Sequence, residues 1–317
     1  MIRFEIAKLT GSRVIRFLLI ALLLVVLLLS WRNMAGISGS NEVEITDAQK
    51  LQTDFDSEMD RIIGKSEVFL KDAENTASAF EKIDTYSKSY YQNVIRIYTE
   101  ARDTVRIRHD ASAGWDLFLD DSGLLIISLL FSAAVGALSV CEEKRKGSML
   151  LLFAAKKGRL QTAVSKIAAI GLLSAGYCLV LSFAVVLFYA LTGHLGDVSA
   201  ELQTVRGFLA SPYRLSIWQA AVIVTARRLM LCALTGAFFG ILSCFFRSYA
   251  FLFGTGLLPL ISEFVIFQID FKSVDIFAKN VNVFAVGGSY LLKRYYSVHF
   301  FGCADAVTVG YLLFGCI

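Results

Sequence analysis

Charged residues make up only 18% of this 317-residue chain, well below the quarter or so that an ordinary soluble domain carries on its solvated surface. The net charge of +4 is small and scattered, and no segment joins clustered basic residues to stacking aromatics, which sets aside a nucleic-acid partner. Histidine is scarce: His109, His194 and His299 lie far apart, without neighbouring ligands at helical or hairpin spacing, so no metal site is expected. No G-x-x-x-x-G-K-[ST] phosphate loop exists, and the nearest match, Gly64-Lys65-Ser66, has Met59 where the first glycine belongs. H-E-x-x-H and G-x-S-x-G are missing as well, which leaves an intramembrane hydrolase without its machinery. The expectation is a chain that is not an enzyme and has no catalytic, cofactor-binding or metal-ligating residues of its own. Cys141, Cys178, Cys232, Cys244, Cys303 and Cys316 all fall in or beside apolar runs and none lies in the polar segment 32–121, so no disulfide framework is implied.

What is abundant is apolar surface. Hydrophobic residues make up 56% of the chain and the mean hydropathy is +0.60. They come in runs of about 18 or more, the length at which a helix rising about 1.5 Å per residue crosses a hydrocarbon core of about 30 Å. The fold class expected is all-α, a polytopic transmembrane bundle of about six spans with a helical extracytoplasmic insertion between the first two.

The first span is placed at 14–31, behind an amphipathic cytoplasmic stretch at 1–13 that carries Ile2, Ile6 and Leu9. Arg13 and Arg16 stand at its start and Trp31 and Arg32 at its end, where an aromatic belt residue and a snorkelling cation anchor a helix. A cleaved signal peptide is the competing reading, but no A-x-A site follows and a retained span is preferred. Further spans are placed at 122–141, 167–192, 228–246 and 249–269, the last of these kinked or broken near Gly254, Gly256 and Pro259. The run 216–246 contains Arg227 and Arg228, and such a pair costs several kcal/mol near the bilayer centre. The span is therefore started at Arg228, with 215–227 as an interfacial or re-entrant helix within an outer segment 193–227. After an outer loop at 270–302, a sixth span at 303–317 is too short to cross unaided, so that either the chain is truncated or its final helix is unusually short.

Basic residues in short loops give the orientation. Arg3, Lys8, Arg13 and Arg16 against Glu5 precede the first span, and Lys144, Arg145, Lys146, Lys156, Lys157, Arg159 and Lys166 against Glu142 and Glu143 lie between the second and third. Both belong in the cytoplasm, and Arg247 marks an inner turn. The segment 32–121, with 11 basic and 18 acidic residues, falls outside. Arg206, Arg214, Lys293 and Arg294 go against the trend without reversing it.

The outer segment is expected to be helical. Thr46 and Gln49 have capping-box spacing, and Leu51, Phe55, Met59 and Ile62 share one face until Gly64 interrupts. From Phe69 through Ala73, Thr76, Phe80, Ile83, Ser87, Tyr90, Val94, Ile97 and Ala101, steps of four and three alternate in a heptad-like seam. Two helices packed as a hairpin are implied, either gating a substrate or binding a partner, or closing on their own seam. Glu263, within the fifth run, is a possible intramembrane polar site lining a path or coupling to a proton; pairing with an outer arginine such as Arg227 is the simpler account.

The inner segment 142–166 reads E-E-K-R-K-G-S-M-L-L-L-F-A-A-K-K-G-R-L-Q-T-A-V-S-K. A charged span end, a glycine break, an amphipathic stretch and a basic return build a short helix lying along the inner surface, facing lipid phosphates or a partner. This segment resembles the signature of the type-2 ATP-binding-cassette permeases of prokaryotes. In that family the second span ends in glutamate, followed by a glycine with a small residue, a leucine pair, an arginine, and a lysine opening the third span. The corresponding residues are Glu143, preceded by Glu142, then Gly147 and Ser148, Leu151 and Leu152, Arg159, and Lys166. The stretch Q-x-x-x-x-F-L-A-S-P at 203–212 also resembles an outer loop of such permeases, and the layout is similar over nearly the whole chain. The short sixth span departs from the pattern.

The resemblance implies a permease subunit that binds no cofactor itself. A separate cytoplasmic ABC ATPase subunit would use ATP, and a second permease subunit, identical or related, would complete the path across the lipid bilayer. The residues from Glu142 to Lys166 named above would couple the chain to the ATPase. Two other classes stay open: a sensor or scaffold relaying an outside signal through a partner, and an ion-coupled secondary transporter, for which no internal repeat is visible. The cargo leaves no readable motif.

Overall fold

The computed structural model describes residues 2–39, 48–76, 84–107, 113–145, 159–246 and 288–293. These residues are helical apart from turns and one antiparallel bridge between Glu201 and Ser216. In chain order the helices are α1 (Ile2–Gly11), α2 (Arg13–Gly39), α3 (Ala48–Thr76), α4 (Asp84–Thr104), α5 (Ala113–Leu119), α6 (Ser122–Arg145), α7 (Arg159–Leu191), α8 (Ile217–Leu242) and the single turn α9 (Tyr290–Lys293). Four segments, Arg13–Ala35, Gly114–Val140, Gln161–Leu191 and Ile217–Leu242, are long and apolar enough to cross a membrane. The chain is an all-helical, multi-pass membrane protein. The segments 249–269 and 303–317, with Glu263, lie outside the described residues.

The chain divides into two compact units. A span unit comprises Met1–Ala35, Asp121–Phe188 and Thr225–Gly288, and a hairpin unit comprises Gly36–Asp120, Tyr189–Val224 and Ser289–Ile317.

In the span unit, α6, α7 and α8 are apolar around most of their circumference, the pattern of helices meeting lipid on one side and protein on the other. The N-terminus is jointed. α1 stops at Gly11, where the Ser12 amide donates back to the Leu9 carbonyl at 3.1 Å while the Ser12 carbonyl accepts from the Arg16 amide at 3.1 Å, opening α2. The Arg16 guanidinium donates to the Gly11 carbonyl at 3.1 Å and so satisfies an orphan acceptor at the end of α1. Glu5 and Leu9, one turn apart on α1, are both buried, whereas Phe17, Ile20, Leu24 and Leu28 on α2 are exposed, as lipid-facing side chains are.

The hairpin unit is built on α3 and α4. Leu51, Phe55 and Met59 of α3 bury against Val94 and Tyr98 of α4 and against Val105 and Ile107 beyond it, with Ile62, Tyr90 and Ile97 packed around them. Gln52 fastens the end of the pair, its Oε1 accepting from the Ile107 amide at 2.8 Å. Arg102 and Asp60 bridge the two helices at 2.7 Å, but both are about half exposed, so the pair contributes no more than about 1 kcal/mol. Gly64 does not interrupt α3. The helix runs through it to Thr76, because a helical glycine costs only about 1 kcal/mol and the apolar face on either side outweighs that. The reversal between the two helices falls after Thr76.

A second difference concerns α8. Residues 217–227 and 228–242 form one unbroken helix, not a separate interfacial helix followed by a span. No proline or glycine stands between Ile217 and Thr235 to break it. The arginine pair also escapes lipid by burial, Arg227 being 2% exposed and Arg228 1%.

Candidate functional site

Of the eight residues singled out for coupling, four lie on two of the span helices. Glu142 and Glu143 occupy the last turn of α6, and Arg159 is the first residue of α7. Lys166 follows about two turns inside α7 and is buried. Gly147, Ser148, Leu151 and Leu152, and with them the connection between α6 and α7, lie outside the described residues, as does Glu263.

Deeper in the span unit, α6, α7 and α8 meet at a junction of small residues. A Cβ added to Gly136 of α6 would lie 2.9 Å from the Gly240 amide nitrogen and closer still to the Gly236 carbonyl, both on α8. A Cβ on Gly236 would meet Ser174 Oγ of α7 at 2.5 Å. Backbone approach of this kind is how helices pack in a bilayer, where no hydrophobic drive exists between them. On one side of the junction Ala133, Ala137 and Phe239 cluster, and on the other Leu125, Leu129, Cys178 and Cys232. Both cysteines are free thiols.

Two hydroxyls of α6 are satisfied along their own helix. Ser128 Oγ donates to the Leu124 carbonyl at 2.7 Å and Ser132 Oγ to the Ser128 carbonyl at 2.8 Å. The rings of Phe131 and Tyr177 meet at 3.7 Å between centroids, tilted by 30°, and the Tyr177 hydroxyl donates to the Leu19 carbonyl at 3.3 Å, which ties α7 to α2.

Above the junction, Arg228 Nη2 donates to the Asp121 carbonyl at 3.4 Å, and Asp121 Oδ1 accepts from the Leu124 amide at 3.0 Å, capping α6. This polar knot gives Arg228 a partner within an otherwise apolar helix. It was not legible from charge alone, because nothing in the sequence indicates that α8 turns Arg228 toward the cap of α6.

No protein-family model, curated protein or solved structure matches the chain. The geometry therefore carries the functional argument. In the hairpin unit, the stretch at 203–212 folds around Gln203, which lies at zero exposure within the 3-10 turn Leu202–Thr204, ahead of a second turn at Arg206–Phe208. Its Nε2 donates to the Ser211 carbonyl at 3.0 Å and the Tyr213 carbonyl at 2.8 Å, bracketing Pro212. A second support comes from α5, where the Gly114 amide donates to the His194 carbonyl at 3.1 Å; a Cβ there would lie 2.6 Å from that oxygen. Lys293 closes on Asp120 at 2.9 Å, with Ser289 Oγ on the other carboxylate oxygen at 3.1 Å. Among the described residues no cluster of histidine, cysteine and acidic side chains has the makings of a metal site.

Proposed function

We propose that this chain is the membrane-spanning permease subunit of an ATP-driven transporter of the type-2 ATP-binding-cassette kind. About six spans would carry it across the cytoplasmic membrane, with its N-terminus and the segment 142–166 inside and the hairpin unit outside. The observation that supports this best is the order of parts: a short jointed helix α1, the span α2, a helical hairpin inserted before the next span, and α6 ending on Glu142, Glu143, Lys144 and Arg145. Two such subunits would enclose a path. A separate cytoplasmic ATPase would supply the work through Glu142, Glu143, Gly147, Ser148, Leu151, Leu152, Arg159 and Lys166. The tight junction of α6, α7 and α8 suits this role, since a push at the inner end of α6 or α7 is passed on by packed backbone.

The test uses the full chain expressed with its ATPase. An ATPase subunit is expected to co-purify after mild detergent extraction, and Gly147→Pro and Arg159→Glu are expected to abolish ATP-stimulated transport while leaving membrane insertion intact. Unchanged transport in both variants removes the coupling role. Recovery of a kinase instead of an ATPase supports a relay of outside signals.

A further inference from the structure

The hairpin unit contains a cavity of about 240 Å³ lined by Thr104, Arg106, Glu201, Gln203, Arg214 and Ser216, among others. We propose that it is a binding site for a small zwitterion of the amino-acid class, whose ammonium group meets Glu201, Gln203 and Ser216 while its carboxylate faces Arg106 and Arg214. The inference does not rest on the permease reading, because every lining residue belongs to the hairpin unit.

The floor is made by the one strand-like pairing in the described chain. The Leu202 amide donates to the Leu215 carbonyl at 2.9 Å and the Ile217 amide to the Ala200 carbonyl at 3.0 Å, which makes Glu201 and Ser216 a directly opposed pair. Opposed residues of this kind, flanked by the ladder bonds, bring their side chains together on one face. Gln203 lies two residues on. Its amide orientation is settled, because both partners of Nε2 are carbonyls that can only accept. Oε1 must then be the free acceptor.

Three polar atoms at this floor are buried without a hydrogen-bond partner: Glu201 Oε2, Gln203 Oε1 and Ser216 Oγ. Two of them are obligate acceptors when the carboxylate is ionised, and the third both donates and accepts. A buried acceptor without a donor costs about 1–3 kcal/mol, and more when charged, so this group calls for a ligand rich in N–H donors. A primary ammonium supplies three donors and the charge that offsets Glu201.

The rim has the opposite character. Arg214 Nη2 meets Glu100 Oε1 at 3.3 Å, and Arg106 Nη1 rests on the Arg102 and Val105 carbonyls at 3.3 and 3.4 Å. Each guanidinium carries five N–H donors, so both keep capacity for a carboxylate. The volume lies below the 300 Å³ or so at which pockets for drug-sized ligands begin, which fits one amino acid.

The experiment titrates each of the twenty standard L-amino acids into the detergent-solubilised full chain and reads binding by calorimetry. At least one is expected to bind saturably below about 10 mM. Its N-acetyl derivative, which lacks the ammonium, and its amide, which lacks the carboxylate, are expected to bind more weakly. Glu201→Gln and Arg214→Met are expected to weaken it about tenfold or more while the circular dichroism and gel-filtration profile stay those of the parent. Failure of the whole panel to bind means the pocket holds water alone and overturns the proposal. So does equal binding of the N-acetyl derivative, which needs no misfolding control because it uses the unaltered protein.

Discussion

Arg228 reaches from the middle of α8 to the backbone carbonyl of Asp121, the residue whose carboxylate caps α6, so the cation of one helix meets the first turn of another. At 3.4 Å the bond is long. Cap and charge can be separated. Asp121→Ala is expected to destabilise the span unit by about 1–2 kcal/mol, the usual range for losing an N-cap. Asparagine caps as well as aspartate, so Asp121→Asn is expected to cost less unless the negative charge matters to Arg228. Thermal unfolding of the full chain in detergent distinguishes the two.

Gly136 is expected to tolerate no side chain. In Gly136→Ala the added methyl meets backbone atoms of Gly236 and Gly240, which cannot rotate away as a side chain would. α6 and α8 must separate, at a cost of about 1–3 kcal/mol. Gly176→Ala on α7 has nothing within 4 Å of the new methyl. It is expected to be neutral or to stabilise by up to about 1 kcal/mol through helix propensity. Equal melting temperatures for the two variants would show that the junction is looser than described.

In the hairpin unit, Phe55 at zero exposure is the strongest single anchor. Phe55→Ala is expected to cost about 3–5 kcal/mol and to raise amide hydrogen exchange along both α3 and α4. Val68, 58% exposed on the same helix, is expected to leave exchange unchanged when replaced by alanine.

Gln203 offers a sign test. Gln203→Glu places a carboxylate where an amide now donates to the Ser211 and Tyr213 carbonyls, leaving acceptor against acceptor in a buried turn. It is expected to destabilise the turn by more than about 2 kcal/mol. Exchange of the amides at 202–208 reports it directly, with the more distant amides of α7 as reference.

Much of the helical layout was written in the apolar runs. Leu51, Phe55 and Met59 on one helix and Tyr90, Val94 and Ile97 on another were legible as faces because their spacing repeats at three and four. The turn between those helices was misplaced at Gly64, because glycine is a weak local break that packing on both sides can override. Arg227 and Arg228 suggested a boundary for a related reason: sequence gives the cost of a charge in lipid but not the cap that relieves it. The pocket could not be read at all. Glu201 and Ser216 are fifteen positions apart and become neighbours only through a bridge that no periodicity announces. In the sequence Gln203 stands only as the first letter of the loose motif at 203–212.

Bare backbone against bare backbone at Gly136 and Gly236 leaves no gap for a water molecule between α6 and α8 there. A solute therefore has no route through the seam between α6 and α8 at this point.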